Sequence, residues 1–92
     1  MSLGHKKNAV LFMSQAQKDT KKLSSSGLKK KALQLIQLIQ IDPYTYPPEF
    51  EYLKGDMQGL ISRRINKQHR LVYEVFEDTK TIKVYRMWSH YE

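Results

Sequence analysis

The stretch that decides the fold is residues 61–92, ISRRINKQHRLVYEVFEDTKTIKVYRMWSHYE. Runs rich in Val, Ile, Tyr and Phe at 61–65, 69–76 and 81–88 predict three β-strands, because β-branched and aromatic side chains suit a pleated, half-buried surface. The polar triplet Asn66-Lys67-Gln68 is short enough for a hairpin loop. Glu77-Asp78-Thr79-Lys80 reads as a polar turn in which Asp78 can bond its own backbone. Strand alternation sorts the faces. Leu71, Tyr73 and Val75 share one side of their strand, and Arg70, Val72, Glu74 and Phe76 take the other. On the neighbouring strand Ser62 and Arg64 share a face, opposed to Ile61, Arg63 and Ile65. One sheet face is therefore expected to be core and the other an open basic surface. Arg63, Arg64, Arg70 and Arg86 all lie in this stretch, more guanidinium than a sheet needs for stability.

Working outward, residues 8–13 form a short apolar run that predicts a buried strand. Ser14 follows at once, and Ser14-Gln15-Ala16-Gln17 has the form of a capping box, so a helix should begin there. Ala16, Thr20 and Leu23 fall on one face of it, and the run Ser24-Ser25-Ser26-Gly27 should end it. Residues 28–41 give the clearest helical pattern. Leu28, Ala32, Leu35 and Ile39 recur at helical spacing, and Leu33, Ile36 and Leu38 widen the stripe. Asp42-Pro43 ends that helix, since the residue before proline is pushed out of the helical region. Glu51–Lys54 opens the first strand of the C-terminal sheet, with Gly55-Asp56 and Gly59 bracketing its turn. The order is β-α-α-β-β-β. The expected class is α+β, with two N-terminal helices packed on one face of a small, mostly antiparallel sheet of four to five strands. Residues 1–7 are expected to be disordered, with Met1-Ser2-Leu3 reading as a cloning remnant.

Composition bounds the function. Ninety-two residues predict one small domain. With no cysteine, a disulfide framework and a Cys-based zinc site are both excluded. No apolar run approaches a membrane span and no signal-peptide pattern is present, so a cytoplasmic location and no membrane contact are expected. Sixteen Lys+Arg against nine Asp+Glu leave a net charge of +7, which favours a polyanionic partner, nucleic acid first. Neither a glycine-rich phosphate loop nor a metal-ligand cluster is apparent, so no metal and no cofactor is expected.

A resemblance rests on ordered residues: Glu51, Leu53 and Lys54, then Gly59, then Ser62-Arg63-Arg64-Ile65, then His69-Arg70-Leu71-Val72-Tyr73, then His90-Tyr91. From about Glu51 to Tyr91 the chain resembles the YoeB/Txe branch of the RelE/ParE toxin superfamily. The resemblance implies a cytoplasmic bacterial toxin of a type II toxin–antitoxin pair, an endoribonuclease that cleaves messenger RNA on the ribosome in its decoding A site. It places the catalytic roles on Glu51, Arg70, His90 and Tyr91, and RNA or phosphate contacts on Lys54, Arg63 and Arg64. The partners it implies are an acidic antitoxin of the YefM/Phd type, the small ribosomal subunit with its message, operator DNA only together with antitoxin, and a second copy of the chain in a homodimer. Before the end the chain departs from the pattern, because Met87-Trp88-Ser89 make a slightly longer approach from Arg86 to His90.

The chemistry agrees with those residue types. An RNA cutter that uses the 2′-hydroxyl as nucleophile needs a base for that hydroxyl, a cation for the charge on the phosphorane and an acid for the departing 5′-oxygen. Glu51 suits the base, Arg70 the clamp and His90 the acid, while Tyr91 can stack on a base or bond a phosphate oxygen. An arginine fork matches two phosphate oxygens where a lysine cannot. The alternatives are a basic RNA-, ribosome- or operator-binding module without activity, and, behind it, an enzyme acting on acidic small molecules. No helix-turn-helix pattern supports a direct DNA reader. Taken singly, His69 reads as structural, Arg63 as a salt-bridge partner and Trp88 as a core or interface anchor.

Overall fold

The computed structural model describes residues 7–88. Its elements are β1 (Ala9–Phe12), α1 (Ser14–Ser26), α2 (Lys29–Ile41), β2 (Phe50–Tyr52), a 3-10 turn (Gly55–Met57), β3 (Ile61–Arg64), β4 (Arg70–Phe76) and β5 (Thr81–Arg86). They form one five-stranded sheet in the order β1-β5-β4-β3-β2. The pairs β2–β3, β3–β4 and β4–β5 are antiparallel, and β1 alone runs parallel, beside β5. This is the expected α+β architecture; the order is β-α-α-β-β-β-β, with one strand more after the helices than the β-α-α-β-β-β expected.

The helices begin and end for reasons that differ in detail from the sequence expectation. β1 runs straight into α1, so the N-cap falls on Met13, whose N–H donates to the Val84 carbonyl at 2.9 Å. Ser14 is therefore the first helical residue and no side-chain cap bond forms. Instead Gln17 Nε2 reaches back to the Phe12 carbonyl at 2.9 Å. The serine run does not break the helix. Ser25 and Ser26 stay helical, their hydroxyls donating to carbonyls of the preceding turn. Gly27 ends it in the left-handed region at φ 80°, where a side chain would be strained. In α2, Ala32, Leu35, Ile36 and Ile39 are buried, a stripe at i, i+3, i+4 and i+7. Leu33 and Leu38, expected to widen that stripe, are exposed.

The core lies between the helices and one sheet face, where Ile61, Leu71, Tyr73, Ile82 and Val84 meet Ala16, Leu23, Leu35 and Ile39. The strands are shorter than the apolar runs suggested. β3 stops at Arg64 and β4 starts at Arg70, because Asn66 Oδ1 accepts the N–H groups of Gln68 and His69 and turns the hairpin. β5 stops at Arg86, after which the backbone bonds to a side chain and not to a strand. The opposite sheet face is not wholly open either: Ser62 and Val72 on it are 2 % and 0 % exposed.

Candidate active site

Three strands bring the site together. β2 pairs with β3 so that Glu51 lies across from Ser62, and β3 pairs with β4 so that Arg64 lies across from Arg70. The two-residue alternation puts all four on the face turned away from the helices. Arg70 Nη1 lies 3.4 Å from Glu51 Oε1, joining residues 19 positions apart. The pair sits in an open groove of about 520 Å³ lined by Pro48, Glu49, Phe50, Glu51, Ser62, Arg64 and Arg70. The Glu51 side chain is 66 % exposed and that of Arg70 only 20 %. The carboxylate is thus reachable from solvent, while the Arg70 side chain is largely covered. Ser62 Oγ and Arg70 Nε are buried without a hydrogen-bond partner. A buried polar atom left unbonded is costly. Lys54 is exposed at the start of the 3-10 turn and does not line the groove.

Arg63 requires a correction. It was expected to contact RNA or phosphate, but it lies on the helical face and is 1 % exposed. Its guanidinium donates to the Tyr73 hydroxyl and to the carbonyls of Pro43, Thr45 and Pro48, and stacks 4.6 Å over the Phe50 ring. With its donors committed inside the protein it cannot reach a phosphate. It ties down the 43–48 loop that leads into β2 and hence to Glu51.

Two residues matter more than their sequence context suggested. His69 is buried and stacks on Trp88, with ring centroids 3.9 Å apart and planes 16° from parallel. Asp19, on α1, is fully buried. Its Oδ2 accepts the backbone N–H of Met87 at 2.8 Å and of Trp88 at 3.2 Å, and Oδ1 accepts Gln15 Nε2 at 3.0 Å. Arg86 Nε lies 3.7 Å from Oδ2. Asp19 carries a signal in the sequence. It sits three residues after Ala16 and four before Leu23, on the apolar stripe, where a carboxylate needs a dedicated partner. The expected catalytic residues His90 and Tyr91 lie outside the described residues, as do residues 1–6 of the stretch 1–7 expected to be disordered.

Two helices on one face of a mostly antiparallel sheet is a fold that this chain shares with the YoeB/ParE toxin from Agrobacterium tumefaciens. That structure shares 28 % identity over 90 % of this chain and 99 % of its own, with a TM-score of 0.82. The chain belongs to the YoeB-like toxins of bacterial type II toxin–antitoxin systems, whose family model matches residues 12–91. The Staphylococcus aureus YoeB, solved in complex with YefM and as a dimer, is 32 % identical. In the complex the match covers 91 % of this chain and 98 % of that one with a TM-score of 0.77; in the dimer it covers 92 % and 99 % with a TM-score of 0.79. Toxin YoeB of Mycobacterium bovis is 40 % identical over 53 residues, 58 % of this chain and 62 % of that protein. The chain thus spans less than two thirds of the length of that curated relative. No helix among the described residues is long and apolar enough to cross a membrane.

Proposed function

We propose that this chain is a cytoplasmic endoribonuclease toxin that cuts translated messenger RNA in the ribosomal A site and so stops translation. The observation that carries the proposal is the Glu51–Arg70 pair, an acid and a guanidinium from different strands meeting at 3.4 Å in an open groove. Family membership supports it.

In this mechanism Glu51 takes the proton of the 2′-hydroxyl, whose oxygen attacks the adjacent phosphorus. Arg70 holds the non-bridging oxygens as negative charge builds on the phosphorane. The bond from phosphorus to the 5′-oxygen breaks, and His90 gives that oxygen its proton. The products are a 2′,3′-cyclic phosphate and a 5′-hydroxyl, with no redox change. Tyr91 stacks on a base or bonds a phosphate oxygen, and Arg64 and Lys54 bind flanking phosphates. The test is a message with a 2′-O-methyl group at the cleaved nucleotide, presented on programmed ribosomes. Cleavage should vanish at that position. Cutting at the same place and rate would overturn the mechanism.

The cognate partner in this proposal is an acidic antitoxin of the YefM/Phd type, drawn to the net charge of +7. Operator DNA is bound only with that antitoxin, and the toxin also forms a homodimer. The association rate with antitoxin should fall as salt rises; a rate flat across salt would count against charge-driven capture.

A further inference from the structure

We infer that Asp19 is a positioning residue for RNA cleavage: from the helical layer it grips the backbone of Met87 and Trp88, the segment that leads to His90 and Tyr91. The inference rests on the proposed roles of His90 and Tyr91.

Four observations carry it. First, the sheet does not hold this part of the chain. β5 ends at Arg86, whose last strand partner is Val72, and a register irregularity falls there, between Val72 and Tyr73. Second, a single carboxylate oxygen replaces the sheet. Asp19 Oδ2 accepts two consecutive N–H groups, at 2.8 and 3.2 Å. A carboxylate accepting backbone N–H groups forms charge-assisted bonds, roughly twice as strong as neutral ones. Third, the carboxylate is itself held, by Gln15 Nε2 on Oδ1 and by Arg86 at 3.7 Å. A fully buried charge on the apolar stripe of α1 is retained in such a small core only where those partners are made. Fourth, the gripped segment is clamped on its other side to the reactive strand. Trp88 stacks at 3.9 Å on His69, the residue before Arg70. Asp19 therefore fixes Trp88 in height and direction, and the stack relates Trp88 to the start of β4. His90 follows two residues later. Small displacements of reacting groups are expensive in rate: roughly 1 Å can cost 10²-fold.

The experiment uses the full chain with Asp19→Asn and Asp19→Ala, beside a chain lacking residues 90–92. Ribosome-dependent cleavage is measured well below each thermal midpoint and expressed per folded molecule, together with amide hydrogen exchange. Asp19→Ala should lower kcat by about tenfold or more with KM within about twofold. Exchange at Met87 and Trp88 should quicken by a similar factor, while Leu71 and Ile82 stay protected. Asp19→Asn keeps one acceptor oxygen and should fall between Asp19→Ala and the unaltered chain in both readouts. If Asp19→Ala does not fold, Asp19→Asn carries the comparison. If neither folds, unprotected Met87 and Trp88 amides in the unaltered chain would overturn the inference, and slow ones would support it. Unchanged kcat per folded molecule despite released amides would also overturn it. Full cleavage by the chain lacking 90–92 is a different failure, because it removes the proposed roles of His90 and Tyr91 whatever Asp19 does.

Discussion

Arg63 Nε donates to the Tyr73 hydroxyl at 2.9 Å, on the buried side of the β3–β4 hairpin. The hydroxyl in turn donates a hydrogen bond to the Pro43 carbonyl at 2.7 Å, so an arginine and a tyrosine together hold the loop that enters β2. Its neighbour Arg64 points the other way and is exposed. Consecutive arginines thus serve opposite faces of one strand.

That contrast predicts opposite phenotypes. Arg63→Met should cost about 2–4 kcal/mol, because three carbonyls and a hydroxyl inside the protein lose a charged donor. Arg64→Met should change stability by no more than about 0.5 kcal/mol, as a surface substitution does, yet weaken cleavage as a phosphate contact is lost. Urea unfolding midpoints at unchanged slope, beside cleavage rates, check both. Equal stability losses would show that the two side chains are not divided in this way.

Arg70→Lys keeps the charge but loses the fork. Cleavage should fall by about 10²-fold or more, as when one preorganised charge-stabilising donor is removed. Stability should shift by less than about 1 kcal/mol, since the partner carboxylate of Glu51 is largely exposed. A lysine variant that cuts at the normal rate would reduce Arg70 to a point charge.

Three tyrosines hold their protons at higher pH than usual. Loss of water around the ring is the first cause for Tyr44, Tyr73 and Tyr85, although Tyr44 as a residue stays 38 % exposed. Tyr44, which also donates to Glu77 Oε2 at 3.0 Å, is pushed up to about 12. Tyr85 donates to Glu74 Oε1 at 2.8 Å, while Arg63 pulls Tyr73 back in the opposite direction. A raised phenol ionises first in the unfolded chain. Its contribution is complete below pH 10 and is lost as pH climbs towards about 12 for Tyr44. Thermal midpoints should therefore decline over that window. Tyr44→Phe should make the decline shallower and remove the ionisation near pH 12 from an absorbance titration. Superposable curves for the two proteins would refute the assignment.

Removing residues 90–92 should abolish cleavage and leave the fold, because Met87 and Trp88 remain to be held by Asp19 and His69. The thermal midpoint and ribosome-dependent cleavage of the shortened chain decide it. A collapsed midpoint would mean that the terminus is structural.

Much of the fold was legible in local pattern. The strand runs, the hairpin triplet Asn66-Lys67-Gln68 and the stripe Ala32, Leu35, Ile39 are set by neighbours in sequence, and period-2 and period-3.6 spacing register them directly. The open-face side of the groove was legible too, since Ile61 and Ile65 on one strand and Leu71 and Tyr73 on the next mark the core face and leave Ser62, Arg64 and Arg70 to the other. Alternation also put Arg63 with Ile61 and Ile65. Yet a guanidinium among apolar residues is intelligible only when its acceptors are known, and the carbonyls of Pro43, Thr45 and Pro48 come from a loop 15 to 20 residues away. Asp19 is the stronger case, because the amides it holds are 68 and 69 residues along the chain. Residue types and periodicity determined the elements and which face each side chain takes. Only the tertiary structure decided which buried charges are satisfied, because hydrogen bonds between distant backbone groups leave no periodic trace in sequence.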